Sequence, residues 1–185
     1  MFARTERLLL RPGWIEDAPA LHRAIADERV IRNLASAPWP YSPADAEAFL
    51  EAERSSAEPA ALIFLRGPAA PELIGGIGFG RRPDGPLEFG YWLAHAHWGR
   101  GYATEAGRAV IAAARSSLRI ARLQGGHFLD NPASGRVLAK LGFRPTGRVV
   151  PRYSAGRGEA VPCRQFELDL AEDEPSEAQT ETMAA

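Results

Sequence analysis

The sequence predicts an α/β (α+β) domain, with helices laid on the faces of a strand-rich sheet. Three observations carry this. Between residues 61 and 94, short apolar runs of strand length follow one another, punctuated by glycine and proline. On both sides lie stretches whose apolar residues recur at helical spacing. Between them, HAHWGRGYATEA (95–106) sets a glycine turn after an aromatic strand-like run and before an alanine-rich helical one.

The elements follow in order. Residues 5–11 read as a first strand, ended by Pro12 and Gly13. Residues 16–34 read as one helical stretch, with Leu21 and Ile25 four apart and Ala18 and Ala24 extending their face. Ser42 followed by Pro43 is an N-cap with proline at the first helical position, opening a helix that carries Phe49 and Leu50. Residues 61–66 and 71–80 are strands, PDG at 83–85 is a turn, and 87–94 is a further strand. Ala103, Ala106, Gly107, Val110, Ile111, Ala114 and Leu118 define the best helix in the chain. Its small-residued face suits close approach to a sheet. Residues 119–129 form a strand. Asn131 and Pro132 then cap a short helix bearing Val137, Leu138 and Leu141, with Gly142 as its left-handed terminator. Residues 143–150 and 163–170 are the last two strands, joined by a polar, glycine-containing loop.

At 185 residues the chain fits one domain with a real core, assigned to 1–170. The net charge of −1 points to no nucleic-acid partner. The figure hides an asymmetry. Residues 171–185 hold five acids and no base, which leaves 18 acids against 22 basic residues in the body, close to +4. That acidic tail has little to bury and is expected to be disordered. Cys163 is the single cysteine, so no intrachain disulfide forms, and a reducing, cytoplasmic setting fits. No apolar run approaches the roughly 20 residues that span a bilayer, so no membrane partner is expected.

The glycine turn admits several phosphate readings. A Walker A loop needs lysine and Ser/Thr after its last glycine, and here Tyr102 and Ala103 follow Gly101. A dinucleotide fingerprint needs a third glycine where Thr104 stands. The alternating Gly76, Gly78 and Gly80 precede a turn rather than a helix, and read as strand glycines that permit close packing. What is left is a lysine-free pyrophosphate cradle made of backbone N–H groups at a helix start, where the dipole adds about half a positive charge. Taken alone, the loop fits a structural turn equally well.

The residues around it carry a resemblance. WGRGYATEAGRAVIAAA is similar to the coenzyme A loop of the GCN5-related N-acetyltransferases, whose pattern Q/R-x-x-G-x-G/A is met at Gly101 and Ala103, with Trp98 in place of Gln/Arg. The stretch from Trp98 to Ala106 resembles the W-G-K/R-G-Y-A-T-E-A of the ribosomal-protein (Rim-type) branch. TERLLLRP, ELIGGIGF and EFGYWLA resemble that branch's first, third and fourth strands, and DNPASGRVLAKLGF (130–143) its N-x-x-S…KLGF signature.

The resemblance implies a mixed, mostly antiparallel sheet with splayed central strands. It implies direct transfer of acetyl from acetyl-CoA to a primary amine, with no metal. Leu93 and Ala94 would bond the pantetheine arm, Gly99, Arg100, Gly101, Tyr102, Ala103 and Thr104 would cradle the pyrophosphate, and Asn131 would also reach the cofactor. Glu88 would be the base, acting through water, and Ser134 would stabilise the departing thiolate. Each has a plainer alternative: an ion-paired strand glutamate for Glu88, a back-bonded early-helix serine for Ser134, a helix cap for Asn131. Arg136 and Lys140 would meet nucleotide phosphates or simply face solvent. APWPYS (37–42) would wall the acceptor site. A protein N-terminal amine is the first acceptor class and a small-molecule amine (amino sugar, polyamine, amino acid) the second, in a monomer or homodimer. Competing readings are a non-catalytic CoA-binding module and a nicotinamide-dependent oxidoreductase. His95, His97, His127 and Cys163 match no standard zinc spacing, and Cys163 reads as a core residue.

Overall fold

The computed structural model describes residues 1–52, 58–68, 70–81, 85–118 and 120–171. Among these, eight strands form one sheet in the order β1-β2-β3-β4-β5-β6-β8-β7. β5 pairs with β6 in parallel and every other neighbouring pair is antiparallel. The mixed, mostly antiparallel sheet flanked by helices is the architecture expected from the sequence.

The expected first strand is two, β1 (Ala3–Arg4) and β2 (Leu8–Arg11). Thr5 makes the turn between them: its N–H donates to the Leu8 carbonyl and its hydroxyl accepts from the Leu8 N–H, both at 3.0 Å. The expected helix over 16–34 is also divided. A 3-10 turn at Ile15–Asp17 leads into α1 (Ala18–Ile25), and a separate α2 covers Glu28–Ile31. Asp27 causes the break. It lies in extended conformation, and its carboxylate accepts from the Arg29 N–H, so it caps a new helix. α3 (Pro43–Glu51) starts on a reciprocal box, in which Ser42 Oγ accepts from the Asp45 N–H and Asp45 Oδ2 from the Ser42 N–H.

β3 (Ala60–Leu65), β4 (Glu72–Arg81) and β5 (Leu87–Leu93) form an antiparallel meander. α4 (Tyr102–Ser116) returns the chain to β6 (Arg122–Phe128), and α5 (Pro132–Lys140) follows. The last two strands are longer than expected, β7 at Arg144–Ser154 and β8 at Glu159–Asp169. The loop expected between them is mostly paired strand, because residues 149–154 of β7 register against 159–164 of β8. The expected turn at 83–85, the start of the strand at 119 and the acidic tail from 172 onward fall wholly or partly outside the described residues.

The sheet has two packed faces. α4 and α5 cover one, where Leu8, Leu10, Ile63, Ile77, Phe89 and Val110 are buried. α1–α3 cover the other over Leu62, Phe64 and Leu73. Small residues bring α4 close: a Cβ on Gly107 would lie 2.6 Å from a methyl of Leu141, the C-cap of α5.

Glu105 ties the start of α4 to the first turn. Its carboxylate accepts from the Thr5 hydroxyl at 2.6 Å, from the Arg7 N–H at 2.9 Å and from Arg7 Nε at 2.7 Å. Burial alone would raise its pKa, but the hydrogen bonds from Thr5 and Arg7 outweigh it and hold the carboxyl below its usual range. A depressed carboxylate stabilises the fold above its unfolded pKa, near ~4.3, and loses that contribution as pH falls through the folded value. Glu105→Gln is therefore expected to lower the thermal midpoint at pH 7, with the difference from the unsubstituted protein shrinking as the pH is taken below ~4.3, read from paired melts across the acid range.

Candidate functional site

β5 and β6 lie side by side but part company. Glu88 with Gln124 is their registered pair, and beyond it the strands continue without pairing. Ala94 donates its N–H inward, to Ile74 at 2.8 Å. By the alternation of an antiparallel ladder, Trp92 also faces β4, while Tyr91 and Leu93 turn their N–H and C=O groups toward the gap. The Leu93 carbonyl accepts from the Trp98 indole at 2.8 Å. The Leu93 N–H and the Tyr91 carbonyl are left facing an unpaired strand edge, which an extended amide-bearing chain fits.

A cleft of about 1090 Å³ runs through this gap from the α4–α5 side to the α1–α3 side. Glu88, Tyr91, Leu93, Gly99, Ala103, Asn131 and Ser134 line it. Its floor on the α1–α3 side is nearly bare. β4 presents Gly76, Gly78 and Gly80 there, opposite Trp92, Gly90 and Glu88 of β5. Gly76 and Gly78 are required by packing, since a Cβ would come within 2.6 Å of the Trp92 indole and 2.7 Å of the Ala60 backbone. A Cβ on Gly80 or Gly90 would meet no described atom within 4 Å.

The glycine turn continues from the cleft. Gly99 and Gly101 have φ of +74° and +82°, and Gly101 is the N-cap of α4. A Cβ on Gly99 would touch nothing within 4 Å, and one on Gly101 only Arg7 Nη2 at 3.6 Å. Backbone conformation, not crowding, selects glycine here. No side chain caps α4, so the N–H groups of Tyr102, Ala103 and Thr104 open the helix without an intrahelical partner. Such a terminus suits an anion. Arg100 is exposed, and its carbonyl accepts from Arg7 Nη1 at 3.1 Å. The Arg7 guanidinium stacks 4.6 Å over the buried Tyr102 ring.

Two side-chain pairs stand at the gap. Glu88 receives both terminal nitrogens of Arg152, at 2.5 and 2.8 Å, with side chains 13% and 23% exposed. Burial works against the Arg152 charge, yet the two bonds to Glu88 prevail and raise its pKa. Across β5, the Tyr91 hydroxyl donates to Ser134 Oγ at 3.0 Å. Asn131 caps α5, its Oδ1 accepting from the Ser134 N–H at 3.2 Å. Glu88 thus shares the face of Gly90 and Trp92, whereas Tyr91 and Ser134 lie on the α4–α5 face.

The wall opposite the floor includes Ala37, Pro38 and Tyr41. Burial, with the nearby Asp45, pushes the Tyr41 phenol up to about 12, so it stays protonated. The β7–β8 tip braces this wall. Ser154 Oγ donates to the Leu34 carbonyl at 2.9 Å, Arg157 Nε to the Arg32 carbonyl at 2.7 Å, and Arg157 also pairs with Asp130 beside α5. His97 meets Glu72 at 3.2 Å and His127 meets the Phe128 carbonyl at 2.8 Å. Cys163 is buried.

Arg152 and Tyr91 were not singled out from the sequence. Arg152 falls in the expected loop between the last two strands, and Tyr91 in the expected strand 87–94. The one signal for Tyr91 is its alternation with Phe89 and Leu93, which puts it on the side of the Asn131–Ser134 stretch.

Comparison with known proteins converges on one family. The sequence profile of the acetyltransferase (GNAT) domain matches residues 7–144. The chain is 31% identical over 161 residues to the Bacillus subtilis (strain 168) protein named "Uncharacterized N-acetyltransferase YoaA", spanning 83% of this chain and 88% of that one. The GNAT-family acetyltransferase structure from Bacillus anthracis superposes with TM-score 0.78 at 23% identity, over 92% of this chain and 99% of that one. Mycobacterium smegmatis RimJ, solved in complex with CoA-disulfide, superposes with TM-score 0.75 at 23% identity, over 91% and 84%.

Proposed function

This chain belongs to the GNAT acetyltransferase family, and from that premise we propose that it moves acetyl from acetyl-CoA to a single amine carried on a largely apolar body, a protein N-terminus first. The reading places the chain in the ribosomal-protein branch. The W-G-R-G-Y-A-T-E-A stretch supports that, and so does the likeness in fold to RimJ. Residues 1–170 act as one transferase domain, with 171–185 an appended acidic tail. The lone cysteine and the absence, among the described residues, of any helix long and apolar enough to cross a membrane are compatible with action in the cytoplasm.

The observation that carries the acceptor class is the charge of the cleft. Its described acids are Asp45 and Glu88. Asp45 is held by Ser42 in the α3 cap, and Glu88 by Arg152. Arg81, also lining, pairs with Glu58. A polyamine or an amino sugar with several ammonium groups needs several free carboxylates, whereas one amine on an apolar body does not. A small monoamine is the second reading.

In the mechanism the N–H groups of 99–104 bind the pyrophosphate. The β5 edge at Leu93 takes the pantetheine, through the Leu93 N–H and the Tyr91 carbonyl; Ala94, expected to share this role, has its N–H on the Ile74 carbonyl and its carbonyl on the His97 N–H. Near the reacting carbon, a backbone N–H at the end of β5 polarises the thioester carbonyl. Asn131 holds the α5 terminus against the cofactor arm. The amine must be neutral to attack; an α-amino group, near ~8, loses its proton more readily than a lysine near ~10.4. Glu88 accepts that proton through water. Ser134 hydrogen-bonds the departing thiolate.

Thermal unfolding with acetyl-CoA, and with NAD as the control, tests the cofactor. A hundredfold excess over Kd adds about 2.7 kcal/mol, which raises the midpoint of a chain this size by roughly 5–10 °C. A rise with acetyl-CoA alone is expected. No rise in a folded sample sinks the reading. Free-thiol release with an unblocked peptide panel then separates a catalyst from a CoA-binding module.

A further inference from the structure

We infer that Tyr91 is a positioning residue for the leaving group: its hydroxyl, donating to Ser134 Oγ, turns the serine's own hydrogen into the cleft, toward the departing sulfur. The inference rests on the acetyltransferase reading and on Ser134 as the thiolate's partner.

A serine on the first turn of a helix ordinarily sends its hydroxyl hydrogen back to a backbone carbonyl. Ser134 is in that position, two residues into α5, and its N–H is capped by Asn131. Its Oγ instead accepts from Tyr91 at 3.0 Å. An oxygen that accepts on one side has its single hydrogen free to point elsewhere, and both residues line the cleft. The phenol is suited to the task in a second way. Burial raises its pKa more than the bond to Ser134 lowers it, so it remains a donor throughout the neutral range. Phe89, 6.0 Å away between ring centroids, packs against the Tyr91 ring.

The chemistry needs no proton to pass along the pair. The C–N bond forms, the C–S bond breaks, and the proton lost by the amine leaves on the Glu88 side. The electron pair of the broken bond stays on sulfur as a thiolate. An ordinary thiol ionises near ~8.5, so this leaving group is stable enough to depart on hydrogen bonds alone and takes its proton later from solvent. Two linked hydroxyls polarise one another, which makes the donor that faces the sulfur stronger than a lone serine.

The test uses CoA itself as the probe and needs no acceptor. The thiol of CoA bound to the full chain is titrated by thiolate absorbance, in the unsubstituted protein, Tyr91→Phe, Ser134→Ala and the double variant. CoA binding and folding are checked for each by thermal shift. In the unsubstituted complex the thiol is expected to ionise about one pH unit below free CoA. Tyr91→Phe should remove about half a unit of that shift. Ser134→Ala should remove most of it, and adding Tyr91→Phe to Ser134→Ala should change nothing further. A Tyr91→Phe titration equal to that of the unsubstituted protein overturns the inference. So does an equal effect in the Ser134→Ala background, because a merely structural tyrosine acts independently of the serine. If CoA produces no thermal shift in any variant, the acetyltransferase reading itself falls. If CoA binds but Ser134→Ala leaves the titration unchanged, the serine's role falls and takes that of Tyr91 with it.

Discussion

Glu88→Gln is expected to lower kcat about a hundredfold, while the thermal shift with acetyl-CoA stays as large as in the unsubstituted protein. General-base assistance is worth roughly 10²–10⁴ in rate, and glutamine keeps the shape while losing the ability to take a proton. Glu88 sits where a base is useful, on the floor side of the gap beside Gly90 and opposite Gly80. The same substitution breaks the pair with Arg152, so the fold must be followed separately. A glutamine oxygen still accepts one guanidinium N–H, which limits the damage. The readouts divide the two roles. A loss of turnover in a folded, acetyl-CoA-binding variant marks a base. A fall in thermal midpoint with kcat changed less than about threefold marks an ion pair and nothing more.

Gly101→Val is expected to abolish the acetyl-CoA thermal shift, weakening binding by about thirtyfold or more in direct titration. Two costs combine. At φ +82° a side chain with a Cβ is strained by about 1–2 kcal/mol, and a branched one more. On the proposed reading the added methyls also stand where the N–H groups of Tyr102, Ala103 and Thr104 would approach an anion. Within the protein itself there is room, since the new Cβ meets only the end of Arg7 at 3.6 Å. The loss should therefore fall on the ligand more heavily than on the fold. A variant that melts near the original midpoint and still shows a full acetyl-CoA shift would make this turn scaffold only.

Much of the architecture was legible because local signals agreed with one another. α4 announces itself by apolar spacing and α5 by the Asn131–Pro132 cap as well, and the observed N-caps are Gly101 and Asn131. The break at Asp27 was legible too, in principle: aspartate two residues before the arginine whose N–H it captures is a cap signal. A continuous apolar stripe concealed it. The last hairpin is longer than expected because Pro151, Gly156, Gly158 and Pro162 mark residues 151–162 as loop, whereas Pro151 and Pro162 face each other within the β7–β8 ladder. The cleft's side-chain pairs are another matter. Arg152 reaches Glu88 across 64 positions, and Tyr91 reaches Ser134 across 43. Neither contact has a local signature. Each depends on how two strands diverge and on which face of β5 a residue takes, and a single sequence carries that only after the sheet order is known.

The bare floor of the cleft bears on how a scaffold like this changes its diet. A Cβ on Gly80 or Gly90 meets no described atom within 4 Å, so a side chain added there projects into the cleft rather than into the core. The core beneath is made by other residues, Ile77, Phe79 and Phe89, on the opposite face. The shape of the cleft and the packing of the core are thereby written at separate positions along the same two strands. A lineage carrying this sheet can reshape the cleft by single substitutions on one face of these strands while the residues that pack the other face stay as they are.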